Sequence, residues 1–170
     1  METVISALIV IALLVITVLG LAQASLSAQA GIAQASSAMQ ERVSQRARTN
    51  IVPLNVQAMP QDAPADTVQI TLKNTGSTKL ADFTQWDVIL QYSDGTNNQV
   101  KWFPGSDSWS STIYTSAAAL TPEAYNPGIL DPGEEMIATL TVNPPIGTST
   151  TNQVVISTPN GIIATAVFTH

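Results

Sequence analysis

The sequence predicts an α+β protein in which a long N-terminal α-helix is followed by an all-β, immunoglobulin-like antiparallel sandwich. Three features predict this fold: an uncharged apolar run near the N-terminus, a polar continuation without proline, and alternating strand patterns after Pro53. The predicted domains are residues 1–50, a hydrophobic assembly helix, and residues 51–170, a β-sandwich head.

The apolar run extends over the 19 residues from Val4 to Ala22, which is long enough to span a membrane. It contains 13 Val, Ile and Leu side chains and no charged residue. Burying each is worth about 1.5–3 kcal/mol, so leaving them all in water forgoes roughly 20–40 kcal/mol. That exceeds the net stability of about 5–15 kcal/mol of a whole domain. These side chains therefore require lipid, protein, or first one and then the other.

The helical pattern continues from Gln23 to Asn50, and a helix from Glu2 to Thr49 would be roughly 70 Å long at about 1.5 Å per residue. Small residues recur in this half at spacings of 4, 3, 4 and 3, which places them on one helical face where two backbones can approach closely. The alternative interpretation is that these alanines only favour the helix on an exposed stalk. The absence of Glu and Lys between residues 23 and 40 favours packing. The predicted core-packing residues are Val4, Leu8, Ile11, Val15, Val18, Leu21, Ala24, Ala28, Gly31, Ala35 and Ala38.

The head is predicted to contain eight strands, because short alternating runs are separated by turn sequences such as Asn74-Thr75-Gly76 and Asp131-Pro132-Gly133. The predicted strands are Leu54–Met59, Thr67–Asn74, Phe83–Tyr92, Gln99–Phe103, Ser110–Tyr114, Met136–Val142, Asn152–Ser157 and Ile162–His170. The predicted inward residues are Val68, Ile70, Leu72, Val88, Leu90, Ile137, Leu140, Ile163 and Val167. Trp86, Trp102 and Trp109 are expected to pack in the core or under loops. The segment Thr115–Leu130 is expected to be a long surface loop that could contact a neighbour.

Several classes of chemistry are excluded by composition. The chain has no cysteine and a single histidine, His170, so thiolate sites, multi-histidine metal sites and a histidine-based triad are not expected. No phosphate-binding loop or Gly-x-Ser-x-Gly elbow occurs, so we expect neither an enzyme nor a cofactor. From Ile51 onward three lysines face ten acidic residues, and this formal charge of −7 argues against a nucleic-acid partner.

Two acidic turns could hold a weakly bound calcium ion through oxygen ligands. One contains Asp131, Glu134 and Glu135, and the other contains Asp94, Asn97 and Asn98. Neither follows the spacing of an EF-hand loop. We interpret both as solvated turns.

A charge-poor N-terminal helix that leads directly into an all-β head resembles the archaellin and type IV pilin-like superfamily. The resemblance is strongest in Val4–Ala22. In the head it rests on three segments: Val68–Gly76, Leu130–Met136 and Thr158–Gly161. Many bacterial pilins carry Glu at the fifth mature position and paired cysteines in the head, whereas this chain has Ile5 and no cysteine, so the archaellin side fits better.

The resemblance implies a subunit that a prepilin-type peptidase processes and that its helix holds in the inner or cytoplasmic membrane. An assembly motor would then move it into an extracellular homopolymer whose core is a bundle of such helices. The expected function is a structural subunit of a swimming filament. The alternatives are an adhesive type IV-like pilin and a single-pass anchored binding module.

Overall fold

The computed structural model describes residues 2–60, 66–105 and 108–170 of the chain. Helix α1 occupies Glu2–Arg48, as the unbroken run of helix-forming residues predicts. Arg46 and Arg48 lie in its last turn, where positive charge complements the partial negative charge of the helix end. The chain divides into two compact units, Met1–Val43 and Ser44–His170, so the last turn of α1 belongs to the β unit.

Nine strands are found in the described part of the β unit, each paired in antiparallel fashion. They are β1 Ile51–Pro60, β2 Asp66–Asn74, β3 Asp87–Ser93, β4 Asn98–Pro104, β5 Ser110–Ser116, β6 Thr121–Pro122, β7 Glu135–Val142, β8 Thr151–Ser157 and β9 Ile163–Thr169. One sheet has the order β1-β2-β7-β5-β6 and the other the order β4-β3-β8-β9. The predicted fold, a long helix followed by an antiparallel sandwich, is confirmed.

The core consists of the alternate residues that each strand directs toward the opposite sheet. The predicted inward residues Val68, Ile70 and Leu72 of β2 are fully buried, as are Val88 and Leu90 of β3. In β7 the alternation selects even-numbered residues, so the predicted Leu140 is buried together with its same-face neighbours Met136, Ala138 and Val142.

Three inward predictions were wrong, and in each case the period of two explains the error. Ile137 is only partly buried, because a spacing of three cannot place it on the same face as Leu140. Ile163 and Val167 are 65% and 64% exposed, since β9 directs the even-numbered residues Ala164 and Phe168 inward instead.

Two of the three tryptophans are buried as predicted, and the third is exposed. Trp86 and Trp109 are buried as expected, and the Trp86 ring packs edge-on against Phe83, with 5.1 Å between ring centroids. Trp102 was predicted wrongly: it is 65% exposed on the outer face of β4, where its indole Nε1–H donates to Asp87 Oδ1 over 2.9 Å.

The strands also differ from the prediction in three places, the first being β1, which begins at Ile51 rather than at Leu54. Phe83–Gln85 forms a 3-10 helix before β3 rather than the beginning of a strand, and the Asp82 side chain accepts hydrogen bonds from Thr84 and Gln85 there. The predicted surface loop Thr115–Leu130 contains the end of β5 and all of β6. The two-residue β6 lacks the alternation by which a strand is recognised in a sequence.

Candidate functional site

The N-terminal half of α1 presents apolar side chains on all sides. The predicted packing residues Val4, Leu8, Ile11, Val15, Val18 and Leu21 all lie on this helix and are 51–72% exposed. By length and composition this helix could cross a membrane. It therefore displays the surface that burial in lipid or in other helices would stabilise.

The second half of α1 carries the stripe of small residues, which consists of Ala24, Ala28, Gly31, Ala35 and Ala38. All five are exposed. A Cβ atom added at Gly31 would meet nothing within 4 Å. Nothing within the single subunit therefore requires glycine at this position.

The last turn of α1 is anchored in the β unit by the turn Thr158–Gly161. The Arg46 Nη2 group donates to the carbonyl oxygen of Gly161 over 3.2 Å, and the Asn160 Nδ2 group donates to Thr49 Oγ1 over 2.8 Å. Thr49 Oγ1 also donates to the carbonyl oxygen of Gln45 over 2.8 Å. Thr49 is buried, so these polar contacts satisfy a hydroxyl that would otherwise lose its hydrogen bonds to water.

The turn that follows β2 holds the same helix end from a second direction. Ser77 N–H donates to the carbonyl oxygen of Arg48 over 2.8 Å, and Thr75 N–H donates to that of Asn50 over 3.0 Å. A Cβ atom at Gly76 would lie 2.5 Å from both the Arg48 oxygen and the Asn50 nitrogen. Glycine is thus required because the two backbones approach so closely.

Asn74 joins this turn to Leu130–Met136, another of the segments on which the family resemblance rests. Its side chain is fully buried, and its Nδ2 group donates to the carbonyl oxygens of Thr78 and Leu130 over 2.8 and 3.0 Å. Two of the three segments that carry the resemblance therefore contact the end of α1, and Asn74 joins the third, Leu130–Met136, to them. The sequence predicts strands and turns in these segments, but a strand or turn pattern does not state which other backbone it contacts.

We expect residues 44–170 to form a more stable head than residues 49–170. Both retain the sandwich, but the shorter fragment loses the partners supplied by Gln45, Arg46 and Arg48. Each such hydrogen bond contributes about 0.5–1.5 kcal/mol, so the free energy of unfolding should fall by about 1–3 kcal/mol. Urea denaturation followed by circular dichroism measures the difference. Equal midpoints would show that the last helical turn does not stabilise the head.

The first acidic turn uses its carboxylates to hold the turn together. Asp131 forms an ion pair of 2.9 Å with Lys79 and accepts a hydrogen bond from Asn126, and Asn126 followed by Lys79 lowers the pKa of this carboxyl. The Glu134 carboxylate accepts from the Asp131 N–H over 2.9 Å. Carboxylate oxygens of Glu123, Asp131 and Glu134 lie within 4.8 Å of one another, but Glu135 points elsewhere. Asp131 and Glu134 of this turn therefore lie together, whereas Glu135 is engaged elsewhere.

The second acidic turn is organised around Asp94. Its Oδ1 accepts from the backbone N–H groups of Thr96 and Asn97, and its Oδ2 accepts from Gln99. These hydrogen bonds, that of Asn97 foremost, lower the pKa of the Asp94 carboxyl. Such contacts are typical of a turn in which an aspartate side chain binds nearby backbone.

Glu135 links β7 to the loop that follows β5. Its Oε2 accepts from the Ala117 N–H over 2.8 Å and its Oε1 pairs with Lys73 over 3.2 Å. The Ala117 N–H and, to a smaller extent, Lys73 lower the pKa of this buried carboxyl.

Acidification should destabilise the head partly through Glu135. Because its pKa is lowered in the folded state, its contribution is fully present above the unfolded value of about 4.3 and disappears as the pH falls through the folded value. We expect the free energy of unfolding of the Glu135→Gln variant to fall less between about pH 5 and pH 2.5 than that of the parent chain. Urea denaturation at several pH values measures both slopes, and identical slopes would contradict the prediction.

Comparison with known proteins places these features in a family. A chain of the archaellum periplasmic stator protein complex FlaF and FlaG from Sulfolobus acidocaldarius is similar over 69% of this chain and 87% of its own, with 18% identity and a TM-score of 0.48. The archaellum periplasmic stator protein FlaG from the same organism is similar over 71% of this chain and 99% of its own, with 19% identity and a TM-score of 0.45. No curated protein sequence matches the chain. The family model for archaeal-type flagellin matches residues 2–168, and the chain therefore belongs to the archaeal-type flagellin family.

Proposed function

We propose that this chain is the structural subunit of an archaellum-like helical filament that serves swimming motility, with α1 in the filament core and the β-sandwich head exposed. The exposed apolar surface of α1 carries the proposal, because its burial is worth more than the net stability of about 5–15 kcal/mol that is typical of a whole domain. Family membership supports a structural role in an extracellular filament and not an enzymatic one.

The geometry of α1 fits a helix surrounded by several neighbours. At 3.6 residues per turn, Val4 and Leu8 lie about half a turn around the helix from Gly31 and Ala35. A helix inside a bundle needs more than one packing face, whereas an isolated membrane anchor needs no seam of small residues. This arrangement favours a filament core over a single-pass binding module.

The same helix can remain in the membrane before assembly, since lipid and neighbouring helices bury the same apolar side chains. The subunit then passes from one apolar environment to the other without exposing them to water. A prepilin-type peptidase and an assembly motor complete the proposed pathway, and family resemblance is their only support.

Electron microscopy of material sheared from cells that express the chain tests the filament. Ordered fibres composed of this chain are expected, and a chain found only in membranes as a monomer would favour the anchored module. Deletion of its gene separates the two filament types: loss of swimming supports motility, whereas intact swimming with lost surface attachment would favour an adhesive pilus.

The filaments should also withstand high salt. Their proposed core is held by apolar burial, which salt does not screen, whereas ion pairs are almost fully screened at about 1 M sodium chloride. We expect the fraction of subunits that sediments as filaments to be the same at about 1 M sodium chloride as at low salt. Release of folded subunits at that concentration would show that ion pairs hold the filament.

A further inference from the structure

The outer face of the four-stranded sheet is unusually apolar. Across β4, β3, β8 and β9 its outward positions are Val100, Gln91, Gln153 and Val167 in one row and Trp102, Ile89, Val155 and Thr165 in the next. Five of these eight are apolar, and Val100, Trp102 and Val167 are 64–69% exposed. None of the eight is charged. We call these eight residues the apolar sheet face.

The other sheet provides an internal comparison. Its corresponding outward rows, across β1, β2, β7 and β5, are Gln57, Gln69, Thr139 and Ser110, and then Asn55, Thr71, Ile137 and Thr112. Only one of those eight, Ile137, is apolar. The solvent-exposed face of an antiparallel sheet normally carries polar residues, as the outer face of the five-stranded sheet does. The apolar sheet face instead has the composition of a contact surface.

A second exposed apolar surface lies on the loop Ala117–Gly128, here called the apolar loop. Tyr125 is 93% exposed and Leu120 is 64% exposed, and Leu120 adopts a left-handed conformation with φ of 48°. Two hydrogen bonds hold the beginning of the loop in place. The Ala117 N–H donates to the Glu135 carboxylate, and the Leu120 N–H donates to the carbonyl oxygen of Ala117. Loop residues fixed in this way lose little conformational entropy on binding.

We propose that the apolar loop of one subunit packs against the apolar sheet face of its neighbour in the filament. This inference rests on the proposed filament function. One repeated contact builds an open helix only if two different surfaces meet, because a surface that meets its own copy across a two-fold axis closes a dimer. The sheet face and the loop supply two such different surfaces on one head.

The shape and hydrogen-bonding capacity of the sheet face suit the loop. A groove of about 400 Å³ lies along the first of these rows, with Gln91 and Gln153 between Val100 and Val167, and it continues to polar residues at the end of the sheet, among them Asn98 and Thr151. No hydrogen bond engages the side-chain amides of the two glutamines anywhere in the described part of the chain. The groove can therefore receive the Tyr125 ring between the valines and bind its hydroxyl with an amide, which is how tyrosine commonly contributes to interfaces.

Charge favours the same pairing. The head carries a formal charge of −7 from Ile51 onward, so most approaches between two heads are repulsive. The eight residues of the sheet face are uncharged, and the Asp87 carboxylate at its edge accepts from the Trp102 indole. The single charged residue of the apolar loop, Glu123, turns its carboxylate back toward the head, where it accepts from the Asn126 N–H over 2.5 Å and lies beside Glu134 and the Lys79-paired Asp131. Contact between these two surfaces brings few like charges together and buries apolar area.

Cysteine cross-linking in filaments of the full chain tests the contact, and the absence of native cysteine leaves only the engineered pair to react. The pair Tyr125→Cys and Gln91→Cys, treated with a short bismaleimide, should give a ladder of covalent multimers. Each single variant should remain monomeric on a denaturing gel. The matched pair Tyr125→Cys and Gln69→Cys, which uses the polar face of the other sheet, should also remain monomeric.

Other outcomes would overturn the proposal. Dimers from Gln91→Cys alone would show that the sheet face meets its own copy, and a ladder from the Gln69→Cys pair would assign the loop to the other sheet. Monomers from ordered filaments that carry both Tyr125→Cys and Gln91→Cys would show that the apolar loop does not contact this face. If the parent chain forms no filament, the proposed function fails together with this contact.

An independent variant tests the energetic importance of the face. Trp102→Arg should lower the temperature at which filaments disassemble, while the melting temperature of the isolated subunit in detergent stays the same. Gln57→Arg, on the polar sheet face, should change neither temperature. Filaments of Trp102→Arg that are as heat-resistant as those of Gln57→Arg would overturn the assignment.

Discussion

Replacing Gly31 by leucine is expected to abolish filaments while the head stays folded and the subunit stays in the membrane. A side chain at this position meets nothing within 4 Å in the single subunit, so the substitution creates no clash there. Leucine also favours a helix more than glycine by about 1 kcal/mol. Any loss of assembly must therefore arise from a neighbouring helix, which the new side chain would push away at a cost of about 1–3 kcal/mol per site. The cost recurs in every subunit.

The controls for Gly31→Leu lie on the same helix but away from the stripe. Gln29→Leu and Ser36→Leu add comparable apolar volume about 140° and 120° around the helix from Ala24, the first stripe residue. Yield after shearing and the disassembly temperature should be reduced less in these variants. If Gly31→Leu filaments assemble normally while the two controls fail, the packing seam lies on another face of α1.

The helix was predictable because its signal is local and redundant. An apolar run of 19 residues, a continuation without proline and the first proline at Pro53 all predict the same element. The structure ends α1 at Arg48, close to the predicted limit. The packing role of residues such as Ala28 and Gly31 stays a prediction, since it concerns neighbours in the filament.

The head was predicted less completely, because a period of two identifies two strand faces without stating which one is inside. In β9 both faces are partly apolar, and the predicted residues Ile163 and Val167 lie on the outward one. In β4 the large Trp102 suggested burial, although it lies outside. The residue types that misled the prediction are those that make the outer face of this sheet apolar.

The anchor around the end of α1 could not be predicted for a different reason. Gly76, Asn160 and Arg48 are far apart in sequence and meet only when the sandwich has formed. Their interactions are mainly hydrogen bonds and a close approach of two backbone segments, which leave no periodic pattern in the sequence. A glycine whose Cβ would clash with a backbone atom is recognisable only in three dimensions.

Placing a charge in the middle of the apolar run should have the largest effect of all. On our proposal, Val15→Asp puts a carboxylate at a position that is buried in lipid before assembly and among apolar side chains afterwards. Membrane insertion loses about 2.5–3.5 kcal/mol for a charge at the centre of a helix. An unpaired charge in a packed core costs several kcal/mol more. Both the membrane-bound subunit and the filament should therefore be lost.

Two measurements on the same cells separate this variant from Gly31→Leu. Carbonate extraction reports whether the subunit stays in the membrane, and electron microscopy of sheared material reports the filament. Val15→Asp should fail in both, whereas Gly31→Leu should fail only in the second. Val15→Leu, which keeps the position apolar, and Ser37→Asp, which adds the same charge outside the run, should retain both. Normal filaments of Val15→Asp would show that the apolar run of α1 is not buried in the assembled core.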